Sequence, residues 1–84
     1  MPSAPIDVSI IVVSYNTLAL TRAALDSVVA QTHVARYEVI AVDNASADGS
    51  AGMIASHPIG ADLIRLDENI GFARANTLGV AHNA

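Results

Sequence analysis

Two short polar clusters interrupt the apolar runs of this 84-residue chain, and both carry groups that could hold a flat, hydrogen-bonding ligand. The first is Ser14-Tyr15-Asn16, which follows the run Val-Ser-Ile-Ile-Val-Val that begins at Val8. The second is Asp43-Asn44-Ala45-Ser46, with Asp48 and Gly49 just beyond, which follows Val39–Val42. If the two runs are adjacent parallel strands, Tyr15 and Asp43 are neighbours at their carboxyl ends, where open α/β sheets bind ligands. An aromatic face beside a carboxylate suits a heterocycle: the ring stacks on Tyr15, and Asp43 accepts a hydrogen bond from a ring N–H. Uracil and thymine offer that donor at N3. Cytosine offers only an acceptor there, and guanine has donors of its own.

Other chemistries are disfavoured by what the chain lacks. There is no cysteine, hence no thiolate nucleophile and no disulfide framework. His33, His57 and His82 have no metal-ligand spacing. A dinucleotide fold needs a Gly-x-Gly-x-x-Gly turn after its first strand; here the turn reads Ser14-Tyr15-Asn16-Thr17-Leu18. A phosphate-binding P-loop needs a lysine, and the chain has none: its cations are Arg22, Arg36, Arg65 and Arg74. Net charge is −4 with no basic stripe, which argues against a nucleic-acid partner. Apolar runs such as Ile10–Val13 are far too short to span a bilayer, and the start Met-Pro-Ser-Ala-Pro-Ile-Asp has no positive region of the kind a secretory signal carries.

The elements that must position these groups follow from hydrophobic pattern and punctuation. A hydrophobic fraction of 52% indicates a folded chain. Residues 1–7 read as a tail, and 8–84 as part of one domain, small enough to bury only about 60–65% of its unfolded surface. Val8–Ser14 is β-branched on both faces, as a parallel strand covered on both sides should be. Asn16 or Thr17 is expected to cap a helix over Leu18–Gln31 with an apolar stripe of Leu18, Leu25, Val28 and Val29 and a surface pair Arg22–Asp26. Thr32–Arg36 is a connection, Tyr37–Val42 a second strand and Asp43–Gly49 a loop of turn formers. Ser50–Ser56 is a short helix, capped by Asp48 and ended by Pro58 and Gly60, with Met53 and Ile54 inside. Asp62–Leu66 is a third strand, Asp67–Gly71 a loop and Phe72–His82 a third helix, with Phe72 in the core. The order βαβαβα implies a parallel sheet with right-handed crossovers, a three-layer αβα, Rossmann-like half-domain. The last helix reaches Ala84 with no stop signal, an ending that reads as a cut.

The segments VSIIVVSYN, VIAVDNASADGS and ENIGFARANTLG, in this order, resemble the N-terminal part of family 2 glycosyltransferases of the GT-A fold, most closely the rhamnosyltransferase-like branch. The resemblance runs from about Val8 to Gly79 and covers about the first third of a catalytic domain. It implies a truncated GT-A fold in which Ser14, Tyr15, Asn16, Asp43, Asn44, Ser46, Gly71, Arg74 and Asn76 are nucleotide-binding positions. Tyr15 and Asp43 would hold the base of a UDP- or dTDP-sugar, Asn44 and Ser46 would shape the loop beside it, and Gly71–Asn76 would close over the nucleotide. Thr77 departs from the asparagine many members carry, and Arg74 stands one place before the arginine found in some, so it reads equally as a solvated helix residue.

The family's Asp-x-Asp metal motif and catalytic base are absent from the chain, so no catalytic or metal-ligating residue is assigned here. The resemblance implies an enzyme that transfers a hexosyl group to an acceptor in polysaccharide or glycoconjugate synthesis, with inversion, using Mg²⁺ or Mn²⁺ held by residues outside this chain. The acidity of the segment agrees, since a diphosphate beside Asp43 and Asp48 needs a cation between them. The chain alone is expected to be inactive and the parent cytoplasmic, with any membrane attachment through parts not present. A free edge of strand 8–14 would favour self-association. The alternative is a non-catalytic nucleotide-binding or interaction module.

Overall fold

The computed structural model describes residues 8–31 and 36–83. The tail, most of the Thr32–Arg36 connection, His33 and Ala84 lie outside the described residues. The element order is β1 (Val8–Ser14), α1 (Leu18–Gln31), β2 (Tyr37–Asp43), α2 (Ser50–Ser56), β3 (Asp62–Arg65) and α3 (Phe72–Asn83). The strands form one parallel sheet in the order β1-β2-β3, with Ile10 opposite Val39, Ser14 opposite Asp43 and Asp43 opposite Arg65. All three strands therefore end at one level, and the loops that leave them share one end of the sheet.

Strand alternation divides the apolar side chains between two layers. Ile10 and Val12 of β1, Val39 and Ala41 of β2 and Leu63 of β3 pack with Leu25 and Val28 of α1 and with Met53 and Ile54 of α2. Ile11 and Val42 point the other way, against Gly79 of α3. The two successive crossovers advance along the sheet in one direction with α1 and α2 on one face, so both have the same hand. The fold is an α/β unit of three parallel strands with helices on both faces.

The inner face of α3 is built from Ala75 and Gly79, both buried and one helical turn apart. Small residues let the helix axis lie close to β1 and β2. Phe72, expected in the core, instead projects from the first turn and is 71% exposed. In α1 the buried residues are Thr21 and Leu25, while Val29 is 51% exposed, so the stripe lies nearer Thr21–Leu25–Val28 than expected. Thr21 tolerates burial because its hydroxyl bonds Ser14 Oγ and Thr17 Oγ1, each at 3.0 Å. Asp26 does not serve Arg22 but accepts from His57 Nε2 at 2.7 Å; His57 Nδ1 accepts the Ile59 N–H, which leaves the proton on Nε2. This pair ties α1 to the end of α2. β3 closes one residue earlier than expected, at Arg65, although the Leu66 N–H still reaches the Asp43 carbonyl at 2.9 Å.

Candidate functional site

Three loops meet at the carboxyl ends of the strands, and side chains tie them together. The Asn44 N–H donates to the Ser14 carbonyl at 2.8 Å, which carries the β1–β2 pairing into the loops. Asn16 sits in the left-handed region with φ 50°, a conformation asparagine tolerates better than most residues. Its N–H donates to Ser46 Oγ at 2.9 Å, and its Oδ1 accepts the Ala47 N–H at 2.7 Å. Asn44 Oδ1 accepts the Ile70 N–H at 2.8 Å and so joins the second loop to the third. Asn69 Oδ1 accepts the Gly71 N–H at 2.8 Å, and Gly71, at φ 88°, turns the chain into α3 in a conformation glycine adopts without strain.

Asp43 is 1% exposed. Its Oδ2 accepts the Ser46 N–H at 3.0 Å and its Oδ1 accepts the Ser46 hydroxyl at 2.7 Å, an Asx turn closed twice by one residue. Each oxygen keeps one lone pair, but almost none of the carboxylate faces open space. Asp43 forms the floor of the second loop. Tyr15 follows Ser14, the β1 partner of Asp43, and is 46% exposed. Ser14 is fully buried against Thr21 and lies beneath the loops, with no side-chain surface for a ligand. Asn44 is buried as well, with its amide oxygen on the third loop.

The third segment divides. Gly71 adjoins the cluster through Ile70. Arg74 lies one turn on and, with Ile70, Ala73, Thr77, Leu78 and Ala81, lines an open, apolar groove of about 390 Å³ along the outer side of α3. Asn76 is half-buried beside Ala75. The structure thus gathers Tyr15, Asn16, Asp43, Asn44, Ser46 and Gly71 at one end of the sheet, while Arg74 lines the α3 groove that starts at Ile70.

Gly49, not Asp48, is the N-cap residue of α2; Asp48 stands just before it and bonds the starts of two helices. Its Oδ1 accepts from the Ser50 N–H and hydroxyl, and its Oδ2 accepts the Leu18 N–H at 3.0 Å, the first free donor of α1. Neither Asn16 nor Thr17 caps α1 with its side chain, contrary to expectation; a carboxylate 30 positions away does so. These bonds, the Ser50 hydroxyl first, hold the Asp48 carboxyl below its ordinary value of 3.8 despite partial desolvation. A carboxyl whose folded value lies below its unfolded one stabilises the fold above 3.8, and that contribution is lost as pH falls through the folded value. An Asp48→Asn variant is expected to melt below the wild type at neutral pH, with the difference closing in the acid range. Melting curves that stay parallel at every pH would contradict this.

Among the described residues, no group of three or more His, Cys, Asp or Glu side chains could hold a metal ion. Asp43 and Asp48, in the second loop, spend their oxygens on Ser46, Ser50 and Leu18. The donor set present does not fit a divalent cation. No described helix is long and apolar enough to cross a membrane.

A parallel sheet with a buried acid and an exposed aromatic ring at its carboxyl edge defines an α/β unit of the kind that binds ligands above the strand ends. The chain belongs to glycosyl transferase family 2, whose profile matches residues 9–83. It is similar to a solved mannosyltransferase from Pyrobaculum calidifontis, determined in complex with GDP-Man and Mn²⁺, with 31% identity and a TM-score of 0.79. The similarity covers 89% of this chain and 24% of that one, so the chain spans about a quarter of its relative's length. No curated protein matches the sequence.

Proposed function

We propose that this segment holds the nucleotide of a nucleotide diphospho-sugar and that the protein to which it belongs transfers the sugar, a hexosyl group, to an acceptor in polysaccharide or glycoconjugate synthesis. The observation that carries the reading is the exposed Tyr15 ring beside the Asp43–Ser46 loop, in a chain of this family. The ring supplies a stacking face, and the loop supplies acceptors at its rim. A ring N–H of uracil or thymine, in UDP- or dTDP-sugars, satisfies an acid at that place. Guanine is the second reading, favoured by the GDP-Man bound to the mannosyltransferase. The motif resemblance to the rhamnosyltransferase-like branch is part of the same proposal. Mg²⁺ or Mn²⁺ would be held by residues outside this chain, in keeping with the Mn²⁺ of that relative and with the donor set described above. This chain alone is expected to bind without transferring, in a cytoplasmic parent.

Calorimetric titration with UDP, dTDP and GDP, each with and without Mn²⁺, tests the reading. UDP or dTDP binding more tightly than GDP supports the first base assignment, and the reverse order supports guanine. The absence of heat from all three would remove the nucleotide site and leave an interaction module.

The free side of β1 is part of the same proposal. β1 is the outer strand of the sheet, and Ile10–Val13 are only half-buried. α3 lies over β1 and β2 on the face opposite α1 and α2, so a right-handed crossover through it returns to that free side. Where no such strand covers the edge, it is a template for another copy. Light scattering is expected to show self-association at high concentration, and a strict monomer would contradict it.

A further inference from the structure

The hydrogen bonds at the rim form a directed chain. The Asn16 N–H donates to Ser46 Oγ at 2.9 Å, and the same hydroxyl donates its proton to Asp43 Oδ1 at 2.7 Å. A hydroxyl that accepts from one group and donates to another has its rotor fixed. The charged acceptor polarises the hydroxyl and strengthens the bond it accepts. At one end of this chain stands the carboxylate of Asp43, a residue only 1% exposed. At the other stands the peptide that follows Tyr15, in a left-handed turn that no glycine relieves.

We propose that Ser46 is a positioning residue for the Tyr15 ring. Its hydroxyl couples Asp43 to the Tyr15–Asn16 peptide, and Asp43 acts on a ligand mainly through this relay. The proposal rests on the nucleotide-site reading above and deepens it. It accounts for a carboxylate placed at the strand end yet only 1% exposed: each oxygen accepts one bond from Ser46, whose hydroxyl holds the first loop. Ala47 N–H to Asn16 Oδ1 and Leu18 N–H to Asp48 Oδ2 also hold the turn, and the relay is the side-chain link that runs from it to Asp43.

Ser46→Ala removes the relay, and Ser46→Thr keeps the hydroxyl. UDP affinity is expected to fall about tenfold in Ser46→Ala, the loss of a charge-assisted bond, and to return to within about threefold of wild type in Ser46→Thr. In a Tyr15→Leu background the same Ser46→Ala change should have almost no further effect, because its route to the ligand is gone. Additive losses, or unchanged affinity in Ser46→Ala, overturn the proposal. A ligand-free arm separates its failure from that of the site reading. Exchange of the Asn16 amide hydrogen should quicken about tenfold or more in Ser46→Ala and recover in Ser46→Thr. Unchanged exchange overturns the relay by itself. If the wild type binds none of UDP, dTDP and GDP, the site reading fails, and the proposal falls with it whatever the amide does.

Discussion

Asp43→Ala is expected to lower the unfolding free energy by about 2 kcal/mol, whereas Asp43→Asn should hold it within about 1 kcal/mol of wild type. The alanine leaves the Ser46 N–H and hydroxyl without the acceptors that close the second loop. The asparagine keeps both contacts in altered form. Its carbonyl oxygen takes the N–H, and its amide donates to a hydroxyl that turns to accept. The two variants thus separate scaffold from recognition. Urea unfolding reads the first, and UDP titration of the well-folded asparagine variant reads the second. An asparagine variant about tenfold weaker for UDP shows that the carboxylate's charge serves the ligand, directly or through Ser46. One that is stable and binds as wild type shows that Asp43 only shapes the loop. An alanine variant as stable as wild type would contradict the buried Asx turn itself.

Gly79 carries the other large effect. A Cβ built there would stand 2.7 Å from Ile11 Cγ2 and 3.2 Å from Val42 Cγ2. Both neighbours are β-branched residues on strands, with little rotamer freedom, and Val42 is fully buried. Gly79→Val is expected to cost about 3 kcal/mol or more, because α3 must lift from the sheet to admit it. Gly79→Ala gains about 1 kcal/mol of helix propensity, which offsets part of a smaller overpacking cost, so it should still be destabilising by about 1 kcal/mol. Gly52 is the control: it is exposed in α2 with nothing within 4 Å of where an added methyl group would stand, and Gly52→Ala should stabilise by about 0.5–1 kcal/mol. Urea midpoints of the three variants check the order, and a Gly79→Ala protein more stable than Gly52→Ala would contradict the close packing of α3.

Much of this architecture is legible in the residues. Runs such as Val8–Ser14 and Tyr37–Val42 are too short for helices and too β-branched for loops, and Pro58 with Gly60 ends α2 where the structure ends it. The rim is legible too, because polar residues follow apolar strands at Tyr15 and at Asp43. What escapes the sequence has physical causes. The inner face of α3 is Ala75 and Gly79, residues that carry almost no hydrophobic signal, so the eye passes to Phe72, which is exposed. Thr21 displaces Val29 from the core of α1 because a Ser14–Thr21–Thr17 hydroxyl ladder satisfies it; the spacing of Thr17, Thr21, Leu25 and Val28 on one helical face was the available signal. The cap of α1 comes from Asp48, a long-range bond that no local rule anticipates. Asp43 is buried because it ends the central strand, opposite Ser14 and Arg65; the Asx turn to Ser46 is legible in the run of turn formers, but its near-complete burial is not.

Amide chemical-shift mapping during titration of UDP into the isotope-labelled protein decides whether the rim is a nucleotide site. Shifts should concentrate on Tyr15, Asn16, Ala45, Ser46, Ile70 and Gly71, with the opposite ends of the strands at Val8, Tyr37 and Asp62 unmoved. Shifts confined to the α3 groove around Ala73, Leu78 and Ala81, or no shifts at all, would contradict a nucleotide site at the rim.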